Sequence, residues 1–197
     1  MPRRVLAILL ALGCLLATAQ ASPRLITSRA APPLTAWQAF CNQQPHECGF
    51  EAGEPELIDL TPELYAAIVT VNTQVNREIT PVVDISHWGK IDQWDIPTDG
   101  RGDCEDHQLL KRKLLAQAGL PRRAMRMTVV LDGNGDGHAV LTIRTIQGDL
   151  ILDNLTDAVL PWYATGYRFL KRESATTIGW VALEPEQPSA MRVATAQ

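Results

Sequence analysis

A change of hydrophobic period near Gly119 limits most what this chain can fold into. Before it, apolar residues recur at helical spacing; after it, they recur in short strand-like runs. Thr61-Pro62-Glu63 opens the clearest helix, with a hydroxyl cap, proline at the first helical position and an acid in the first turn. Leu64, Ile68, Val71, Val75 and Ile79 then mark one face, so the spacing predicts a helix over 62–79. Thr35 is expected to cap a shorter helix carrying Trp37, Ala39 and Phe40. A third helix, evident from Asp106, carries Leu109, Leu110, Lys113, Leu114 and Gln117, runs to Ala118 and stops at Gly119. Cys104 therefore sits at or just inside its N-terminus. Beyond Gly119, residues 125–131, 138–146, 150–153, 167–171 and 177–183 read as strands separated by glycine-bearing reversals. A helical N-terminal half packed on an antiparallel β-sheet predicts a single α+β domain.

The ends of the chain carry different information. Arg3 and Arg4, the apolar run 5–17 and the small residues Ala19-Gln20-Ala21 have the layout of a cleaved secretory signal peptide over 1–21. The run is too short for a membrane span, which needs roughly 20 apolar residues. Residues 22–34 read as a mobile lead-in, 35–183 as the domain and 184–197 as a flexible tail. Cleavage would leave 176 of the 197 residues, with 16 basic against 22 acidic side chains and a net charge of −6. That balance argues against a nucleic-acid binder. An exported chain meets an oxidising compartment, where Cys41 and Cys48 can close a disulfide around a proline-bearing loop. Cys104 is then an odd thiol with acidic neighbours, a poor setting for a buried apolar cysteine.

Thiol chemistry explains it. A cysteine attacks as thiolate, and a helix N-terminus favours that anion through its unpaired amides. A neighbouring imidazole takes the proton and a third group fixes the ring. His138 follows Cys104 by 34 residues and Asp153 follows His138 by 15, across the reversal at Gln147-Gly148-Asp149. Adjacent antiparallel strands would bring His138 and Asp153 together. Asp132, Asn134, Asp136 and Gly137 open like an EF-hand loop, yet position twelve is Ile143, which offers no carboxylate, so a glycine-rich hairpin is expected. His46 lies in the cysteine loop, His87 is placed near the cleft without a role, and His107 is expected to face solvent.

Gly102-Asp103-Cys104-Glu105-Asp106, then Gly137-His138-Ala139-Val140-Leu141, then Leu152-Asp153-Asn154 resemble the bacterial transglutaminase-like cysteine proteinases, the LapG-like periplasmic proteases. Trp88, Trp94 and Pro97 resemble that family's approach to the nucleophile, and the likeness covers roughly 35–183. It implies a papain-like, transglutaminase-like fold and a catalytic triad of Cys104, His138 and Asp153 that cleaves a peptide bond through a thioester. It also implies a calcium ion (Ca2+) held partly by Asp103 and Glu105. Two acids do not fill six to eight oxygen positions, and Asp92, Asp95 and Asp106 are the candidates for the rest. The implied substrate is a large surface adhesin clipped near its N-terminus beside small residues such as alanine pairs, which disperses biofilm. The implied partner is an inner-membrane cyclic di-GMP receptor that sequesters the protease. The same thiol chemistry would also serve a transglutaminase-like acyltransferase or a cell-wall peptide hydrolase.

Overall fold

The computed structural model describes residues 24–184; the segments assigned above to a signal peptide and to most of the tail lie outside them. The described chain runs β1 (Ile26–Ala31), α1 (Thr35–Gln43), α2 (Pro45–Cys48), α3 (Pro62–Glu78), β2 (Thr80–Pro81), α4 (Asp84–His87), β3 (Arg101–Gly102) and α5 (Cys104–Gln117). A 3-10 turn, Arg122–Ala124, leads into β4 (Met125–Leu131), β5 (Gly137–Thr145), β6 (Gly148–Leu152) and β7 (Leu160–Pro161). After a second such turn, Trp162–Ala164, come β8 (Arg168–Glu173) and β9 (Trp180–Glu184).

Seven strands form one sheet in the order β1-β9-β8-β4-β5-β6-β7, with every neighbouring pair antiparallel. The architecture is α+β, as the change of period predicts. Alternation along the strands sends Met125, Met127, Leu141, Ile143 and Leu152 to the helical side, where they pack with Ile68, Leu109, Leu115, Trp37 and Phe40. Val130, Val140, Ile151, Phe169 and Leu183 form a second cluster with Leu25 and Trp162.

Residues 22–34 are not simply a lead-in. Ile26–Ala31 adds an edge strand to β9, in register Ile26↔Glu184 and Ala31↔Trp180. Its residues are almost all exposed, so no apolar alternation marks it in the sequence. Thr35 is the first helical residue of α1 rather than its cap, because Leu34 occupies the cap position without a side-chain bond. Thr61 does cap α3, its Oγ1 accepting from the Leu64 amide at 3.2 Å. Cys41 and Cys48 are joined in a disulfide, tying α1 to α2. The β4–β5 connection is a hairpin: Asp132 Oδ1 accepts from the amides of Asn134 (2.8 Å) and Asp136 (2.9 Å), spending locally the carboxylate a cation loop would use.

Two features of α5 govern the site. Gly119, at φ +96°, ends the helix in the left-handed region. At the other end Gly102 lies so close to the helix that an added Cβ would stand 2.6 Å from Asp106 Cβ. Only glycine admits that approach. Between these ends the helix is buried on nearly every side. Asp106, His107, Gln108, Lys111 and Arg112 are each no more than 2% exposed. His107 therefore does not face solvent, and its Nδ1 lies 2.6 Å from the Asp103 carbonyl. Wrapped by the sheet, α3 and the segment before it, the helix leaves a stripe of Leu110, Lys113, Leu114 and Gln117 at least partly exposed, which its polar sequence does not announce.

Candidate active site

Cys104 is the first residue of α5. Asp103 holds the cap position but makes no side-chain cap bond, so its carboxylate is turned elsewhere. The first amides of a helix have no partner within it and point out of this end, beside Cys104. The helix packs on β5, and the amide of Ala139 acts on the Cys104 sulfur. His138, the preceding residue, is thereby brought to the thiol's neighbourhood.

The pairing of β5 with β6 aligns Leu141 with Leu152, so His138 and Asp153 are diagonal neighbours on one face. Their side chains meet, Nε2 of His138 lying 2.8 Å from Asp153 Oδ1. Burial opposes ionisation of Asp153, but the hydrogen bonds from His138 and Tyr167 outweigh it and hold the carboxyl below its usual range. The loop behind it is clamped from α3 and α5. Asn76 Nδ2 donates to the carbonyls of Asp153 and Thr156, both at 3.0 Å. The buried Asn72 donates to those of Thr156 (3.2 Å) and Asp157 (3.1 Å). Gln108, oriented to satisfy both ends of its amide, donates to the Leu152 carbonyl at 3.2 Å and accepts from the Asn154 amide at 3.3 Å. The residues on either side of Asp153 are thus fixed.

The thiol has a partner other than the imidazole. Its hydrogen bond goes to Glu105 Oε2 at 3.1 Å, and among the described residues none joins Cys104 to His138. Burial first, then the Glu105 carboxylate, push the Cys104 thiol far up. Glu105 is in turn raised to about 9 by its own burial and by the charge of Asp103.

Sequence reasoning missed one acid here. Asp84, Asp103 and Glu105 each present a carboxylate oxygen within 4.8 Å of the others. Asp84 arrives because β2 and β3 pair in parallel, Thr80 with Arg101 and Pro81 with Gly102. Those two short strands leave no periodic trace, so the contact cannot be read locally. Asp84 Oδ1 and Asp103 Oδ1 are both buried without a hydrogen-bond partner, an arrangement that costs free energy unless a cation sits among them. Oxygens sharing a calcium ion at about 2.3–2.6 Å lie within about 5 Å of one another, and these three meet that limit. Of the other candidates, Asp92 is raised by partial burial and by the charge of Asp84, against the hydrogen-bonding influence of Trp94 and Glu105. Asp106 and Asp95 are engaged locally: Asp106 Oδ1 accepts from the Asp95 amide at 2.7 Å, and Asp95 Oδ1 from the Ile96 amide at 2.7 Å. His87 bonds Asp99 at 2.8 Å and stacks on Trp88 at 4.0 Å.

Comparison with known proteins bears on the family and the fold. The sequence profile of the bacterial transglutaminase-like cysteine proteinases (BTLCP) matches residues 26–188. No curated protein matches the chain. A solved structure of Legionella pneumophila LapG is 25% identical, with a TM-score of 0.50, over 58% of this chain and 66% of that one. Calcium-bound LapG from the same organism superposes with a TM-score of 0.53 at 23% identity, over 66% of this chain and 75% of that one. The EGTA-treated form gives 0.53 at 23%, over 68% and 76%. At that identity these last two speak to the fold. With the profile spanning the sheet, α5 and all three motif strings, this chain belongs to the bacterial transglutaminase-like cysteine proteinases and is a cysteine peptidase.

Proposed function

We propose that the protein is a calcium-dependent periplasmic endopeptidase that cuts a large surface adhesin near its N-terminus, with Cys104 as nucleophile, His138 as base and Asp153 orienting the imidazole. The observation that carries the reading is the 2.8 Å His138–Asp153 pair, with His138 on the strand packed against the helix that begins at Cys104. Because Nε2 of His138 is engaged by Asp153, Nδ1 is the nitrogen left for the thiol. For attack the sulfur exchanges its bond to Glu105 for one to the ring. Nδ1 then accepts the thiol proton and the sulfur adds to the scissile carbonyl carbon, while the amides at the α5 N-terminus receive the oxyanion. The imidazolium returns its proton to the departing amine as the C–N bond breaks. Water, deprotonated by His138, then hydrolyses the thioester.

Asp84, Asp103 and Glu105 would hold the calcium ion. It would supply positive charge beside the sulfur, where the carboxylates now favour the thiol. The calcium-bound and EGTA-treated LapG structures belong to that protein, and they support the same assignment here. The Cys41–Cys48 disulfide fits an oxidising compartment, and no helix among the described residues is long and apolar enough to cross a membrane. Adhesin release, biofilm dispersal and sequestration by an inner-membrane cyclic di-GMP receptor follow from the family resemblance.

The test incubates purified protein with a recombinant adhesin N-terminal fragment bearing an alanine pair, in calcium and in EGTA. Cleavage is expected in calcium, lost in EGTA and restored by re-addition. Saturating calcium should also raise Tm by about 5 °C, as a ligand at about 100 times its Kd contributes about 2.7 kcal/mol. Asp84→Asn should weaken calcium binding at least about tenfold, since it removes one of three charged ligands. Undiminished cleavage in EGTA removes calcium from the proposal, and an intact fragment in calcium removes the substrate.

A further inference from the structure

We propose that Tyr167 is a positioning residue of the active site, its hydroxyl fixing the carboxylate that orients His138. The inference rests on the roles given above to Cys104, His138 and Asp153, and it adds a residue that no sequence motif carries.

Each oxygen of Asp153 has its own work. Oδ1 faces His138 Nε2 at 2.8 Å and also accepts from the Leu155 amide at 3.1 Å. Oδ2 accepts from the Tyr167 hydroxyl at 2.5 Å. The Tyr167 ring meets the imidazole edge-on, with centroids 5.6 Å apart and planes at 66°. One side chain thus bonds the acid and packs against the base. A carboxylate turns easily about its last torsion, where the preference is broad. Donors on both oxygens restrict that turn and hold Oδ1 toward the ring.

Tyr167 is itself anchored just ahead of β8: its amide donates to Thr165 Oγ1 at 3.3 Å, and its ring packs on the cluster of Trp162 and Phe169. The hydroxyl keeps its proton, because burial and then the Asp153 carboxylate raise it well above the ordinary phenol value. It therefore remains a donor throughout the working pH range. The charged groups around Asp153 are His138 from β5 and Lys111 from α5, with Asp157 facing Lys111 and Asp132 of the β4–β5 turn facing Tyr167. Lys111 is fully buried and is drawn down to about 7 by burial, against the charges of Asp153 and Asp157. With so weak a cation behind it, Asp153 depends on its hydrogen bonds to stay ionised.

Loss of the hydroxyl removes a group that lowers the Asp153 carboxyl. Its pKa then rises, the ionised form is lost at higher pH, and the acid limb of the rate profile moves upward. The test compares the full chain with its Tyr167→Phe variant in calcium on the same adhesin fragment, with Cys104→Ala as control. The expected result is a kcat about tenfold lower, KM within about twofold, an acid limb of kcat/KM about one pH unit higher and Tm within about 2 °C. Wild-type kcat with an unmoved acid limb overturns the inference, as does a loss of rate and Tm with the limb in place, which marks packing alone. If either occurs while Cys104→Ala is inactive, the site reading stands. Cleavage by Cys104→Ala overturns both.

Discussion

Replacing Cys104 by alanine is expected to lower adhesin-fragment cleavage by at least about 10^4-fold while leaving the fold in place. The sulfur is the atom proposed to form the acyl bond, and no neighbour can substitute for it. Asp103 and Glu105 flank it, but a carboxylate would have to leave the cluster it shares with Asp84. Removing a nucleophile commonly costs 10^4–10^6-fold, with the remainder coming from binding and oxyanion donors. Stability should change little. Cys104 is only partly buried, its side-chain bond is to Glu105, and the small residue introduced suits a helix start. Tm within about 3 °C of the parent, measured by circular dichroism, would establish retention of the fold. Cleavage within tenfold of the parent would remove Cys104 from the chemistry. If the parent instead incorporates an amine probe without cutting, the same thiol serves acyl transfer.

The largest stability effect should come from Glu173, far from any motif. Its Oε2 accepts from Arg112 Nη1 at 2.6 Å and from the Met127 amide at 3.0 Å, and its Oε1 from the Trp37 indole at 2.7 Å. Glu173 and Arg112 have side chains only 3% exposed, and Arg126 adds its field. This carboxylate ties α1, α5, β4 and β8 together beneath the sheet. Glu173→Gln keeps the shape and removes the charge, leaving two buried guanidinium groups uncompensated. Breaking one side of such a pair costs about 3–5 kcal/mol, so Tm should fall by about 10 °C. Adding Arg112→Met to Glu173→Gln should recover part of it, because one of the two uncompensated charges then goes as well. A Glu173→Gln variant within 2 °C of the parent would refute this.

The acid dependence follows with a definite sign. Burial works against ionising Glu173, yet Arg112 and Arg126 outweigh it, so the folded pKa lies below the ordinary 4.5. The pair's contribution is therefore whole above about 4.5 and is lost as pH falls through the lower folded value. In Glu173→Gln the slope of Tm against pH below 4.5 should flatten, and an unchanged slope would assign acid lability to other carboxylates.

How much was legible in sequence depended on distance along the chain. The helix over 62–79 was readable because cap, proline and apolar spacing are local; the structure ends it at Glu78. The Cys41–Cys48 disulfide spans seven residues and encloses a tight loop. His138 lies in β5 and Asp153 directly follows β6, so one reversal dictates their approach. Asp84, Tyr167 and Glu173 were not legible. Each acts on a partner from another element, and an isolated Asp, Tyr or Glu carries no period. The buried polar face of α5 misled for the same reason, since helical charges look solvated until their partners are placed around them.

The sequence by itself determined the three longest helices and the five longer strands that follow them, the thiol at a helix start, and the neighbouring strands that bring the base and its acid together. All are consequences of backbone preference and residue period over short spans. Only the tertiary structure decided that Asp84 joins the acids beside the thiol, that the Tyr167 hydroxyl bonds Asp153, and that the sulfur bonds Glu105. Those outcomes depend on which remote segments share a buried volume, where an unpaired charge or donor is too costly to leave alone.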